Sequence, residues 1–122
     1  MNTLFSAETF REMGFSVTDQ NSGYIKIEKG CCEISVRACD ERAILELPVM
    51  KLWGRRETSL ALMDYLLRRN GEMGGPGFFG IKGDCIYYMS VVYNTEDVGQ
   101  IAMEMQKTIE KLGPRIINMA KQ

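Results

Sequence analysis

Histidine is absent from this chain. Its absence removes the commonest general base, the commonest metal ligand and every catalytic triad built on imidazole. Carboxylate, lysine or thiol chemistry remains open, yet spacing singles out no pair of such residues. Acids such as Glu8, Glu12, Glu104 and Glu110 fall on helix faces that water solvates. A basic excess is also missing: 15 Lys and Arg stand against 16 Asp and Glu. Nothing is left over to neutralise a phosphate backbone, so we expect no nucleic-acid partner. Arg55-Arg56 and Arg68-Arg69 read as solvated helix surface rather than phosphate sites. No apolar run approaches the roughly 20 residues that span a bilayer. Met1 to Phe15 lacks a basic-then-apolar leader. We therefore expect a soluble, cytoplasmic chain with no membrane partner.

Cysteine is present but not in a metal-binding or redox spacing. Cys31 and Cys32 are adjacent, Cys39 falls beside a turn, Cys85 opens a strand, and no C-x-x-C occurs. If Cys31 and Cys32 both lie in a strand, their side chains point to opposite faces and do not grip one ion. We read the four as small buried hydrophobes, with no metal and no cofactor expected.

What the chain does contain is alternation and helical periodicity. Its 122 residues suit one domain, spanning 1–122, that removes roughly two-thirds of its unfolded surface from water without needing a disulfide or a metal. A first helix is expected from Thr3 to Met13, with Thr3 as cap and Gly14-Phe15 as a left-handed stop. A polar linker, Ser16 to Gly23, then leads to three strands. Ile25 and Ile27 alternate in the first, Cys32, Ile34, Val36 and Ala38 in the second, and Ala43, Leu45, Leu47 and Val49 in the third, where Ile44 points outward. Short turns make these an antiparallel meander.

After Trp53-Gly54 a second helix, capped by Thr58 or Ser59, carries two adjoining apolar stripes: Leu60, Met63 and Leu67, then Leu62 and Leu66. It closes on Asn70-Gly71. The strand from Asp84 to Tyr93 is apolar on both faces, with Cys85, Tyr87, Met89, Val91 and Tyr93 one way and Ile86, Tyr88 and Val92 the other. A small two-layer domain leaves one face of an antiparallel sheet to water, so a second apolar face implies a partner. The last helix, capped by Asn94 or Thr95, has a continuous seam of Val98, Ala102, Met105, Ile109, Leu112, Ile116 and Met119. Pro114 predicts a kink or a restarted final turn.

Gly75-Pro76-Gly77-Phe78-Phe79-Gly80 matches G-x-G-x-x-G letter for letter. The dinucleotide motif follows a strand and opens a helix, because the helix N-terminus holds the pyrophosphate. Here a helix precedes and a strand follows, so we read the segment as a turn.

The resulting order, α-β-β-β-α-β-β-α, predicts an α+β, two-layer fold with one five-stranded antiparallel sheet. Local similarity lies in Leu66-Leu67-Arg68-Arg69-Asn70, then Phe79-Gly80-Ile81, the strand Cys85 to Tyr93, and Gly113-Pro114-Arg115-Ile116. In order and in these segments the chain resembles the bacterial YbjN-like family within the type III secretion chaperone-like (CesT-type) superfamily. The resemblance implies a non-enzymatic homodimer with a chaperone-like or regulatory role toward a protein partner, and supplies no catalytic residue. We expect dimer contacts at Leu62, Leu66, Phe79, Ile81 and Tyr88, and partner contacts at Ile44, Trp53, Tyr88 and Val92. The competing reading is a small-ligand binder or minor enzyme, with Tyr87, Tyr88, Tyr93 and Trp53 around a pocket and Cys85 or Asp84 as its reactive group.

Overall fold

The computed structural model describes residues 5–52, 60–72, 74–93 and 97–120. In chain order the elements are α1 (Ala7–Glu12), β1 (Ser16–Asn21), β2 (Tyr24–Lys29), β3 (Cys32–Cys39), β4 (Arg42–Lys51), α2 (Leu60–Glu72), β5 (Phe78–Lys82), β6 (Cys85–Tyr93) and α3 (Val98–Ala120). One antiparallel sheet of six strands runs β1-β2-β3-β4-β6-β5. The class is α+β as expected, but with six strands rather than five. The additional one, β1, occupies the segment read as a linker. Its residues other than the half-buried Val17 are exposed, and a bulge falls between Val17 and Asp19. An edge strand with no buried alternating face leaves no period-2 signal; pairing with β2 makes it a strand.

The helix ends follow local chemistry. Ser6 caps α1, its hydroxyl accepting from the Thr9 N–H at 3.3 Å. Gly14, with φ of 91°, reverses the chain so that the Phe15 N–H reaches the Phe10 carbonyl at 3.0 Å. Phe15 then packs edge-on against Phe10. The expected cap Thr3 lies outside the described residues, as do Thr58, Ser59, Asn94 and Thr95. At α3 the Asp97 carboxylate accepts from the Gln100 N–H at 3.2 Å, the N-cap bond. The helix runs unbroken through Pro114 to Ala120 instead of restarting.

The core lies between the helices and one sheet face. Ile25, Ile27, Ile34, Val36, Ala43, Leu45, Leu47, Ile86, Tyr88 and Val92 supply the sheet side. Across them lies the α3 seam, with Val98, Ala102, Met105, Ile109, Leu112 and Ile116 all buried and Met119 half-buried. Fully burying a side chain of this size stabilises by roughly 1.5–3 kcal/mol, so the seam fixes α3 across β3, β4 and β6. Ser90 is a polar residue in this inward file, and its hydroxyl donates to the Pro76 carbonyl at 2.9 Å.

Asn70 does more than end a helix. α2 continues past it to Glu72, and its side-chain amide pairs with the outer edge of β5. The Phe79 N–H donates to Asn70 Oδ1 at 2.7 Å, and Asn70 Nδ2 donates to the Phe79 carbonyl at 3.0 Å. The amide thereby satisfies two backbone groups that an edge strand otherwise offers to another chain. Asn70→Ala is expected to lower stability by about 1–3 kcal/mol and to raise aggregation above that of an equally destabilised core variant. Urea unfolding and turbidity measure the two effects.

Candidate functional site

All three described helices pack on one face of the sheet, and no described helix covers the other. Directly paired residues share a face, so the register lists what the uncovered side presents. One row reads Tyr24, Arg37, Ile44, Val91, and the next reads Lys26, Ser35, Glu46, Met89, Phe78. Beyond these lie Pro48, Tyr87 and Gly80 on one side and Arg42 with Tyr93 on the other. The face divides in two. Its β2–β3 half is polar, with Lys26 and Glu33 ion-paired at 3.2 Å and the Lys26 ammonium pushed up by that carboxylate. Its β4–β6–β5 half is apolar: Ile44, Tyr87 and Met89 are half-buried, and Phe78, Val91 and Tyr93 are 46%, 37% and 53% exposed. Lys82 borders this half, paired with Glu46 and 5.4 Å from the Tyr87 ring.

The expected contact residues divide differently. Leu62, Leu66, Phe79, Tyr88 and Val92 are all buried within the chain itself, at 0–7% exposure. These side chains are spent on the core and offer nothing to a second molecule; this corrects their placement at an interface. Ile81 is exposed on β5, Ile44 lies on the uncovered face, and Trp53 lies outside the described residues. Alternation along β6 separates its two files correctly but does not say which file the helices cover. The structure gives Ile86, Tyr88 and Val92 to the core and leaves Tyr87, Met89, Val91 and Tyr93 outside. Phe78 joins the outer file through its pairing with Met89. On α2 the stripe of Leu62 and Leu66 is buried, while Leu60 and Leu67 are exposed.

Among the described residues, the expected tyrosines do not line one pocket. Tyr87 and Tyr88 point to opposite faces, and the Tyr88 ring packs at a 48° tilt against Phe79 with centroids 4.8 Å apart. The Tyr88 hydroxyl accepts from the Gly77 N–H at 3.0 Å, and burial pushes its ionisation up. Cys85 is buried with its Sγ donating to the Ile86 carbonyl, and burial pushes its thiol up too, away from the reactive thiolate.

The glycine-rich segment is a close-packed turn. A Cβ on Gly77 would run into the Met89 carbonyl oxygen, and one on Gly75 would lie 2.6 Å from the Tyr88 hydroxyl. Glycine is required here so that the backbone can approach β6. Between this turn, Asn70 and Thr108 is a cavity of about 20 Å³, room for a water-sized group but not for a nucleotide.

Two further groupings carry charge or ligating atoms. Between α2 and α3 runs a groove of about 620 Å³ lined by Asp64, Tyr65, Arg68, Arg69, Glu72, Lys111 and Arg115, among others. Arg68 pairs with Asp64 at 2.9 Å, Arg69 with Glu72 at 3.8 Å, and Arg115 lies over the Tyr65 ring at 5.1 Å. Two of the four cations lining the groove are thus paired with its two carboxylates. At the β2–β3 turn, Gly30 has φ of 62° and Cys31 sits in the turn, not in β3. The strand condition that kept Cys31 and Cys32 apart is thus not met. Their sulfurs and a Glu110 carboxylate oxygen from α3 all lie within 4.8 Å of one another.

Cys32 is buried, and its thiol is pushed up to about 12 by desolvation first, then by neighbouring Cys31 and Glu110. Below an unfolded value near 9 the thiol is neutral in both states; above it the unfolded chain releases a proton that the folded chain retains until about 12. Stability should fall as pH rises through that window, and Cys32→Ala should flatten the fall. Chemical unfolding at a series of alkaline pH values measures this.

No known protein-family model matches the chain, and no curated protein matches it. Among the described residues, no helix is long and apolar enough to cross a membrane.

Proposed function

We propose that this chain is a non-enzymatic, homodimeric protein-interaction module of the YbjN-like, secretion-chaperone-like kind, working in the cytoplasm in a chaperone-like or regulatory role. The observation that carries the reading is the uncovered sheet face, with Phe78, Val91 and Tyr93 exposed beside Ile44, Tyr87 and Met89. Water-facing strand positions in a two-layer domain normally carry polar residues, as β2 and β3 do here. An apolar surface kept on one half of the same sheet is what an association surface requires.

The occupant we assign is a second copy. Six strands at about 4.8 Å spacing span roughly 29 Å, and eight residues of strand run roughly 27 Å. The whole face, its polar β2–β3 half included, matches the scale of about 800 Å² per partner that stable pairs bury. An isologous contact needs a surface complementary to itself. Here an apolar half is bordered by charges of both signs, Arg37, Arg42 and Lys82 against Glu46 and Glu33. Support for the family reading is local: Asn70 and Phe79, from two of the segments that carry the resemblance, bond to each other.

Light scattering on the purified chain at tens of micromolar should give twice the mass of one chain. A monomer at that concentration would overturn the homodimer. If that monomer also failed to delay aggregation of a denatured protein, the chaperone-like role would fall with it.

A further inference from the structure

We propose that Cys31, Cys32 and Glu110 form a binding site for a thiophilic metal ion, with zinc as the ion the donor set fits. Three ligating atoms from two elements converge to within 4.8 Å. Tetrahedral zinc with bonds of about 2.3 Å to sulfur holds its ligands roughly 3.8 Å apart, so a contraction of about 1 Å closes the set. The groups that must move are free to do so, since Cys31 and Glu110 are exposed, whereas Cys32 is fixed and buried.

Two sulfurs and one carboxylate oxygen suit a borderline or soft ion and not calcium or magnesium, which take all-oxygen shells. The turn comes close to the carboxylate: an added Cβ at Gly30 would meet Glu110 Oε1, and glycine with positive φ lets the turn make this approach. Three protein ligands leave a fourth position facing solvent for water or another donor. Binding releases the two thiol protons to solvent and ties the β2–β3 turn to the middle of α3. The site lies apart from the apolar half of the uncovered face, since its ligands come from a turn and from α3 on the covered side.

The test is titration of the fully reduced chain with Zn²⁺ alone, in competition with a chromophoric chelator. Co²⁺ serves as a spectroscopic stand-in that reports thiolate ligation. The expected result is one ion per chain, thiolate-to-cobalt absorption, and affinity lowered roughly tenfold or more in Cys31→Ser and in Glu110→Gln. Both variants alter exposed side chains, so circular dichroism should show them folded. Cys39→Ser, which removes a thiol outside the cluster, should bind as the parent does. Zn²⁺ should raise the melting temperature of the parent and not of Cys31→Ser. Binding weaker than about 100 μM, or binding that survives both Cys31→Ser and Glu110→Gln, would overturn the assignment.

Discussion

Gly77→Ala should lower the unfolding free energy by about 2–4 kcal/mol, a large share of what holds a domain of this size together. The added methyl group meets the Met89 carbonyl oxygen, which belongs to the backbone of a strand paired on both sides. No rotamer change relieves such a contact. The turn must lift away, and the Gly77 N–H then leaves the Tyr88 hydroxyl while the Pro76 carbonyl leaves Ser90. Both partners are buried, so each lost bond carries a desolvation cost as well. Gly71→Ala makes the control: it lies within α2, has nothing within 4 Å of an added Cβ, and should gain about 0.5–1 kcal/mol from helix propensity. Urea unfolding of the pair reads both signs. A neutral Gly77→Ala would mean that the turn does not pack against β6 as described.

A second expected result sets the two files of β6 against each other. Tyr88→Glu should abolish folding, because it places a carboxylate at a site only 3% exposed, removes the acceptor for the Gly77 N–H and loses the ring contact with Phe79. Val91→Glu, three residues along the same strand but in the outer file, should cost less than about 1 kcal/mol of chain stability while shifting self-association by at least about tenfold. The mechanism is desolvation of a charge at an otherwise apolar contact. Circular dichroism separates folding from association, and sedimentation velocity reads the second effect. A folded Tyr88→Glu chain, or a Val91→Glu chain that associates like the parent, would reverse the inside and outside assigned to this strand.

Much of this arrangement is legible in the residues. The four-three spacing from Val98 to Met119 marks a helix with one buried seam, and that seam is buried. Strict alternation in β2, β3 and β4 names the inward file, with Ala38 exposed at the end of β3, because a meander with short turns leaves little choice of pairing. Three features are not legible, each for a physical reason. β1 is an edge strand, and its hydrogen bonds to β2 are made by backbone that carries no sequence pattern. The covered face of β6 is chosen by where α2 and α3 dock, so two apolar files look alike until the helices are placed. Cys31 and Glu110 are 79 residues apart and meet because the β2–β3 turn abuts α3. Asn70 is an intermediate case. Its position at the end of a leucine-rich helix is visible in the sequence, but its pairing with Phe79 depends on β5 arriving beside it.

The uncovered sheet face is tested most directly by carbene footprinting of the intact chain over a range of concentrations that spans its association. With association, Phe78, Met89, Val91 and Tyr93 should lose labelling together, while Leu60 and Leu67 on α2 label as strongly as in the dilute chain. Protection confined to Leu60 and Leu67, or labelling of the outer β6 file that does not change with concentration, would contradict the assignment of that face.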